Sequence, residues 1–322
     1  MNPPQRGAAT PGAMRILLTG SSGYLGSRLV PLLLNDPDVS EVIGIDLAPS
    51  QVRTHPKWVP VREDIRSPHI RSLFKDVDCL IHLAFIVRNI HDDSRAQAIN
   101  LGGAQNVLEA ARSFSVKRIL FTSSAAVYGC LPENPLYITE DRPLRPDPGH
   151  VYSACKVRIE ESLNRFQEEK REAAVTVLRP VLVMGPGADN SLVNLFRRNL
   201  LLSVRGHDPL VQAVHVQDMA RALHLAVQKA VPGTFNVAAP DALSVSEICR
   251  LFRIRQVKLP KPVFLLLLRV LYEGRISRIP PESATRFLYS VTVDATRFQN
   301  AFQWKPAYTT QRCLAELRRA SL

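Results

Sequence analysis

The chain has 322 residues, of which 46% are hydrophobic and 22% are charged, and its formal net charge is +12. This composition is ordinary for a globular protein with one large α/β domain or two modest ones. The basic residues form no run of five and are not interleaved with aromatic residues, so we expect no nucleic-acid partner. The longest apolar run, Val263 to Leu268, is too short to span a bilayer.

The N-terminal residues 1–13 are rich in Pro, Gly and Ala and contain no apolar signal-peptide core. We expect a disordered extension there, with Met14 as a candidate start of the functional chain. The five cysteines are widely scattered, with no C-x-x-C pair and no Cys/His cluster that has metal-ligand spacing. This pattern predicts reduced thiols, a cytoplasmic location and no metal site.

A glycine-rich turn follows the first predicted strand, Arg15 to Leu18, and leads into a helix near Ser27. The turn reads Thr-Gly-Ser-Ser-Gly-Tyr-Leu-Gly, with its glycines at Gly20, Gly23 and Gly26. Glycine permits a tight turn and a close backbone approach, and the first turn of a helix offers unpaired N–H groups and a positive dipole end. The order strand, turn, helix predicts a site for the pyrophosphate of a dinucleotide.

An acidic residue ends the second predicted strand, which runs from Val42 to Asp46. A carboxylate at Asp46 can accept hydrogen bonds from the adenosine ribose and would repel a 2′-phosphate, which favours NAD over NADP. Arg53 lies nearby and could accommodate that phosphate, so NADP is the less favoured alternative.

Strand-like and helix-like segments alternate along the first half of the chain. The further predicted strands are 59–61, 79–84, 118–122 and 175–178, and the further predicted helices are 106–113 and 152–170. Apolar strands separated by helices predict an α/β fold with a doubly wound, Rossmann-type parallel sheet. We expect residues 14–180 to bind the dinucleotide and residues 181–322 to form mainly a small C-terminal substrate-binding region, with returns to the sheet near 213–237. We expect the apolar run after residue 262 to be a buried helix, with a membrane-surface or lid helix as the alternative.

A tyrosine and a lysine, Tyr152 and Lys156, lie four residues apart on a predicted helix and therefore share one face. A free phenol has a pKa of about 10, and we expect the neighbouring ammonium to lower the pKa of Tyr152. Such a tyrosine can exchange a proton with an alcohol while hydride moves. Ser124 follows a predicted strand and could hold the substrate oxygen, because open α/β sheets bind ligands at the carboxyl ends of their strands. Asn100 opens another helix and is expected to cap it or to touch the cofactor ribose.

These motifs together resemble the extended short-chain dehydrogenase/reductase superfamily, specifically its NAD-dependent epimerase/dehydratase family. The matching segments, in family order, are TGSSGYLG at 19–26, Asp46, Asp64-Ile65, HLA at 82–84, NLGGAQNVLEAA at 100–111, SSAAVYG at 123–129, YSACK at 152–156, Arg179-Pro180, HVQDMA at 215–220 and FNV at 235–237.

The resemblance implies a role for each matching residue. It implies that Gly20, Gly23 and Gly26 cradle the pyrophosphate, with Tyr24 and Leu25 in the same turn. It implies that Asp46 binds the adenosine ribose and that Asp64 and Ile65 flank the adenine. The backbone of Leu83 and Ala84 would also contact the cofactor. The resemblance also implies that Tyr152 is the acid/base, that Ser124 orients the substrate oxygen, and that Lys156 holds the nicotinamide ribose. As in relatives, the helices near Asn100 and Tyr152 would form the interface of a homodimer.

Departures from the family pattern narrow the reaction. Ala125 and Ala126 replace the acidic pair of the sugar-nucleotide dehydratases, so dehydration is not expected. An Arg-Pro-Gly-Asp run found in many epimerases is missing upstream of Asp294, although Arg286 could still meet a phosphate. The stretch 210–214 is apolar where epimerases often have Arg and Asp, which weighs against the binding of uridine diphosphate. The apolar run 263–268 points to a more apolar substrate, such as a lipid-like or steroid-like alcohol.

The sequence therefore predicts an NAD-dependent oxidoreductase acting at a secondary alcohol or ketone carbon. Two alternatives stay open, a UDP-hexose 4-epimerase and a non-catalytic NAD(P)-sensing regulator. The small-molecule substrate is either a sugar nucleotide or an apolar alcohol or ketone.

Overall fold

The structure is a computed structural model that describes residues 13–52, 54–86, 93–189, 191–196, 199–276 and 281–320. The strands are β1 Met14–Thr19, β2 Val39–Asp46, β3 Trp58–Arg62, β4 Cys79–His82, β5 Arg118–Thr122, β6 Ala174–Pro180, β7 Leu182–Met184, β8 Leu200–Val204, β9 Leu210–His215, β10 Gly233–Val237, β11 Ala242–Ser244 and β12 Arg255–Leu259. The α-helices are α1 Gly26–Leu34, α2 Asp93–Gln97, α3 Gly103–Ser113, α4 Val151–Glu169, α5 Ser191–Phe196, α6 Val216–Lys229, α7 Val245–Phe252, α8 Lys261–Glu273, α9 Thr296–Phe302 and α10 Thr310–Ala320.

The main sheet has seven strands within the described residues, in the order β10-β6-β5-β4-β1-β2-β3, and every neighbouring pair is parallel. The chain leaves β1 in one direction across the sheet and returns on the other side at β4, so the strand order reverses between these two strands. Ligands of open α/β sheets bind at such a reversal, outside the carboxyl ends of the strands. The predicted Rossmann-type α/β fold is confirmed.

The side chains of β1 show why the sheet is covered on both faces. Ile16 and Leu18 belong to one buried cluster, which includes residues of α1 and α6. Leu17 points to the other face and belongs to a second cluster, which includes residues of α3 and α4. All three side chains are fully buried, and each such burial contributes about 1.5–3 kcal/mol.

The strands after residue 180 form two small sheets, except for β10, which pairs with β6 at the edge of the main sheet. One small sheet has the order β11-β9-β7 and the other pairs β12 with β8. The proposed domain boundary near residue 180 stays a prediction. The expected disordered extension lies, apart from Ala13, outside the described residues, as does Arg53.

Two helix predictions need correction. The helix predicted at 106–113 starts earlier, because α2 and a π-helical turn, Ala98–Gly102, lead directly into α3. The apolar run after residue 262 does form a helix, α8, but this helix is not buried. Only Phe264 and Leu268 of α8 are buried, while Val263 and Leu266 are 48% and 64% exposed. The helix packs through Phe264 and Leu268, with the half-buried Leu265 beside them, against a small cluster that contains Ala284 and Leu288.

A buried ion pair fixes α4 against the sheet. Arg179 on β6 donates from Nε to both carboxylate oxygens of Glu160 on α4 at 3.1 Å, and both side chains are less than a tenth exposed. Glu160 also accepts a hydrogen bond from the hydroxyl of Ser123, just after β5. Since Glu160 lies four residues after Lys156 on the helix, the pair sets the position of the Tyr152–Lys156 face relative to the end of β5.

The same guanidinium extends the network toward the C-terminal part of the chain. Arg179 Nη1 donates to the hydroxyl of Tyr128 at 2.8 Å, and that hydroxyl donates to Asn236 Oδ1 on β10 at 2.8 Å. Asn236 in turn donates from Nδ2 to the carbonyl of Ile138 at 2.9 Å. The segments around Ser124, Tyr152, Arg179 and Asn236 are therefore connected by one chain of buried polar contacts.

Replacing Glu160 by glutamine should destabilise the protein by about 3–5 kcal/mol, because the buried guanidinium loses its counter-charge. Urea unfolding at neutral pH measures this free energy. The matched control is Glu109→Gln, which removes an exposed ion pair with Arg71 and should cost less than about 1 kcal/mol. Equal losses in the two variants would contradict the structural role given to Glu160.

Candidate active site

The glycine turn after β1 brings the backbone very close to the segment after β4. Gly20 has φ +77°, and a Cβ atom there would lie 2.6 Å from the backbone nitrogen of Ala84. A Cβ atom on Gly26 would lie 2.2 Å from the carbonyl oxygen of Gly20. The N-terminus of α1 has no side-chain cap in the described part of the chain. This narrow turn in front of an uncapped helix N-terminus fits a pyrophosphate.

The carboxylate of Asp46 at the end of β2 faces this turn. Asp46 accepts hydrogen bonds from the backbone N–H groups of Ser22 and Ala48, both at 2.9 Å. A carboxylate has about four acceptor sites, so these two bonds orient the group and leave acceptor capacity for a ribose. The geometry fits the role predicted for Asp46.

The segment Leu83–Phe85 links the glycine turn to the Tyr152–Lys156 face. At one end, Leu83 donates its N–H to the carbonyl of Thr19 at 3.1 Å, and Ala84 lies against Gly20. At the other end, the ring of Phe85 makes an edge contact with Tyr152 at 5.3 Å between centroids and lies 3.6 Å from Lys156 Nζ. The predicted cofactor turn and the predicted catalytic pair therefore share one connecting segment.

His82, which directly precedes the segment Leu83–Phe85, is held by contacts with Thr19 and Phe121. Its Nδ1 lies 2.7 Å from the hydroxyl of Thr19, and its ring stacks on Phe121 at 5.8 Å between centroids. Burial, with a further contribution from the Lys156 ammonium, lowers the pKa of His82 to about 3. The imidazole is therefore neutral at physiological pH.

The other three residues that the sequence predicted to contact the cofactor are Asp64, Ile65 and Asn100. Ile65 is buried in the second core cluster, and the carboxylate of Asp64 pairs with Arg66 at 2.7 Å. The hydrogen bonds from Arg66 lower the pKa of Asp64. The sequence predicted that Asn100 caps a helix or touches the cofactor ribose, and the first of these predictions is wrong. Asn100 lies inside the π-helical turn, where its side chain bonds the N–H and the carbonyl of Ile86 at 2.8 and 3.2 Å.

The remaining two residues of the turn, Tyr24 and Leu25, face the protein interior. The guanidinium of Arg28 lies 4.7 Å from the ring centroid of Tyr24, and burial raises the pKa of Tyr24 to about 12. Leu25 packs beside the first core cluster. Both side chains thus anchor the turn while its backbone stays at the surface of the crevice.

Burial raises the pKa of the Tyr152 phenol. The side chain of Ser124 lies next to this phenol and acts in the opposite direction, as does the charge of Arg286, but the effect of burial outweighs both. The expectation that Lys156 lowers this pKa is therefore wrong for the protein alone. Without ligands, the phenol is desolvated and stays protonated.

Lys156 is buried on the same face of α4. Its ammonium donates to the carbonyl of Thr122 at 2.6 Å and is also 4.7 Å from the ring centroid of Phe121. Burial lowers the pKa of Lys156 to about 7, against the opposing charge of Glu160. The lysine is thus held at the end of β5 and changes its protonation state near neutral pH.

A charged pair acts on Tyr152 from the C-terminal part of the chain, and the sequence predicted only its Arg286 member, as a phosphate ligand. Arg286, in the 3₁₀ helix Pro281–Phe287, pairs with the buried carboxylate of Asp147 at 3.4 Å. Its Nη2 atom is buried and has no hydrogen-bond partner within the described residues. His150 bonds Ser153 at 2.8 Å, and burial lowers the pKa of His150 to about 3. The tertiary fold alone brings the charge of Arg286 within range of Tyr152, from which it is separated by more than a third of the chain.

Stability should depend on pH through Lys156. Its folded pKa lies below its unfolded pKa, so the cost of burying the ammonium is full below pH 7 and falls as the pH rises toward 10. The unfolding free energy of the wild type should therefore rise by about 1.4 kcal/mol per pH unit above pH 7. We expect the Lys156→Met variant to lack this rise.

Urea unfolding of wild type and variant at several pH values between neutrality and pH 8.5 measures this slope. Lys117→Met, at an exposed lysine, is the matched control and should leave the slope unchanged. Parallel curves for wild type and Lys156→Met would show that the lysine is not forced toward its neutral form.

The chain is similar to several known proteins. It is 29% identical to an uncharacterized protein of Mycobacterium tuberculosis over 92% of this chain and 81% of that protein. It is 28% identical to the N-acetyl-alpha-D-glucosaminyl-diphospho-ditrans,octacis-undecaprenol 4-epimerase of Escherichia coli over 57% of this chain and 53% of that protein. The structure resembles that of the Thermus thermophilus UDP-glucose 4-epimerase in complex with NAD, with a TM-score of 0.75 and 22% identity over 96% of this chain and 99% of the other, which shows the shared fold.

A family model confirms what the motifs predicted. The model of the NAD dependent epimerase/dehydratase family matches residues 16–238, which includes the glycine turn, Asp46, Ser124, Tyr152 and Lys156. The chain therefore belongs to the NAD-dependent epimerase/dehydratase family, a family of enzymes that use the cofactor predicted from the turn and Asp46.

Proposed function

We propose that this protein is an oxidoreductase that moves a hydride reversibly between NAD and a secondary alcohol or ketone carbon of a small-molecule substrate. The observation that carries the proposal is the placement of Tyr152 beside the buried Lys156, which is held at the end of β5 by its bond to the carbonyl of Thr122, with the side chain of Ser124 next to the phenol. These three side chains lie at the carboxyl edge of the sheet, and the segment Leu83–Phe85 joins them to the glycine turn. The intact group also argues against a regulator that only senses NAD(P).

The cofactor would be held by the residues predicted for it. Gly20, Gly23 and Gly26 would cradle the pyrophosphate with the backbone of Tyr24 and Leu25, Asp46 would bind the adenosine ribose, Asp64 and Ile65 would flank the adenine, and Leu83, Ala84, Asn100 and Lys156 would line the remainder. Bound NAD supplies the hydride acceptor, and NADH supplies the donor. The two oriented acceptor oxygens of Asp46 favour a ribose with free hydroxyls over one with a 2′-phosphate.

Tyr152 would carry the proton. Because burial keeps its phenol protonated, Tyr152 can donate its O–H proton to the substrate oxygen as a ketone is reduced, and it takes the proton back from the hydroxyl during oxidation. Ser124, whose side chain lies next to the same phenol, would position that substrate oxygen. Lys156 lies 5.7 Å from the ring centroid of Tyr152 and would stabilise the phenolate when it is protonated itself.

A UDP-hexose 4-epimerase is the second candidate, and the geometry of Arg286 favours it. The unpartnered Nη2 atom near Tyr152 offers an N–H donor pair to an anionic substrate group. Guanidinium groups bind phosphates in a bidentate, charge-assisted manner. A diphosphate-linked sugar would use this group, whereas an apolar alcohol would leave it unpaired. A homodimer through α3 and α4 and a cytoplasmic location stay predictions.

Tyr152→Phe should lower turnover by about 10²–10⁴-fold, because it removes the acid/base hydroxyl. The binding of NAD should be unchanged, because Tyr152 is not among the residues that hold the adenosine half. Reduction of NAD by candidate alcohols and interconversion of UDP-hexoses measure the activity, and calorimetry measures NAD binding. Tyr137→Phe, at an exposed tyrosine, is the control. Full activity in Tyr152→Phe would refute the proposed chemistry.

Arg286→Gln should weaken the binding of an anionic substrate. If a nucleotide sugar is the substrate, UDP at tenfold excess over its Kd should stabilise the wild type by about 1.4 kcal/mol. The shift should be lost in Arg286→Gln and retained in Arg145→Gln, whose side chain forms an exposed pair with Glu133. Thermal unfolding with and without UDP makes the comparison. No stabilisation of the wild type would eliminate the nucleotide-sugar candidate and leave the apolar alcohol or ketone.

A further inference from the structure

An apolar stripe on α8 points away from the protein. Val263, Leu266 and Val270, at positions i, i+3 and i+7, lie on one side of the helix and are 48%, 64% and 54% exposed. Tyr272 and Ile276, at and beyond the end of the helix, are 42% and 75% exposed. Half of the exposed large hydrophobic side chains in the described part of the chain lie within residues 263–276.

Basic residues flank this stripe along the chain. Lys258 precedes α8, Lys261 begins it, Arg269 lies on it three residues after Leu266, and Arg275 follows it, and all four are exposed. The described segment 253–276 contains six basic residues and one acidic residue, Glu273, which pairs with Arg269 at 2.8 Å. Apolar side chains at the centre and cations around them are the pattern of a helix that lies in the headgroup region of an anionic bilayer.

The helix is suited to lie on a membrane and not to cross it. No helix in the described ranges is long and apolar enough to span a bilayer. With 13 residues, α8 is about 20 Å long, whereas the hydrocarbon core of a bilayer is about 30 Å thick. Its opposite side is anchored by Phe264 and Leu268 in a buried cluster, so the outward stripe is held on a folded support.

The position of α8 connects this surface to the candidate active site. The ring of Phe264 contacts that of Phe287 at 5.1 Å between centroids, and Phe287 follows directly after Arg286, which pairs with Asp147. The helix that would meet the membrane is therefore packed against the segment that carries Arg286.

We propose that α8, through Val263, Leu266, Val270 and Ile276 with the flanking Lys258 and Lys261, docks this protein onto an anionic phospholipid membrane. Charge complementarity identifies the occupant. Anionic lipids attract each lysine or arginine near the surface, while a second copy of this chain would bring six like charges of the same segment against the first. The proposal goes beyond the proposed function and does not depend on it.

Sedimentation with vesicles tests the docking. Wild type should bind vesicles made of equal parts phosphatidylcholine and phosphatidylserine, bind pure phosphatidylcholine weakly, and be released by added salt. Combining Leu266→Glu with Val270→Glu should lower the partition coefficient about tenfold or more, because the stripe loses its apolar contact and gains repulsion. Lys258→Gln and Lys261→Gln should each lower it about fivefold.

Matched controls separate this surface from general effects. Leu136→Glu changes a leucine that is exposed to a similar extent, 59% against 64% for Leu266, and should bind vesicles as the wild type does. Tyr152→Phe should also bind normally, so failure of the proposed catalysis and failure of docking are distinguishable. Circular dichroism checks that each variant is folded.

Two results would overturn the proposal. One is equal binding of anionic vesicles by the wild type and the Leu266→Glu, Val270→Glu variant, or no binding by either. The other is dissociation of a dimer into monomers by that variant in size-exclusion chromatography, which would assign the stripe to an interface between two copies.

Discussion

The candidate active site depends on one buried ion pair. Arg179 and Glu160 bring together β6 and α4, and Glu160 also binds Ser123, the neighbour of Ser124. Because a buried pair costs desolvation as well as gaining attraction, it contributes less to net stability than to the definition of geometry. Here the geometry is the distance between the end of β5 and the Tyr152–Lys156 face. The hydrogen bond from Arg179 to Tyr128 transmits the same constraint to Asn236 at the edge of the sheet.

Burial shifts the pKa values of Tyr152 and Lys156 in opposite directions. Burial disfavours charge, so it raises the pKa of the Tyr152 phenol and lowers that of the Lys156 ammonium. The neutral His82 beneath them adds no charge of its own. The protein thus holds a protonated phenol beside a lysine that titrates near neutrality.

The parts of this arrangement that the sequence predicted are those encoded by short segments. The glycine turn, the end of β2 at Asp46 and the four-residue spacing of Tyr152 and Lys156 are local patterns, and the structure contains them as expected. Long-range contacts could not be read in this way. The pairing of Glu160 with Arg179 had one signal, a carboxylate eight residues after Tyr152 on the same helical face, but nothing in the sequence shows its partner. The direction predicted for the pKa shift of Tyr152 was wrong for the protein alone, because the extent of burial is set by the tertiary packing. The prediction that α8 is buried was wrong because an apolar run does not reveal how many of its side chains pack against other residues.

The C-terminal elements bring a cation and an exposed apolar surface into one part of the molecule. Arg286 offers a cation toward Tyr152, and the residue after it, Phe287, packs against Phe264 of α8. The cation is the group that a phosphate-bearing substrate would use, whereas the apolar stripe faces outward on the opposite side of α8. The same small cluster therefore supports two surfaces, one directed toward the candidate site and one directed away from the protein.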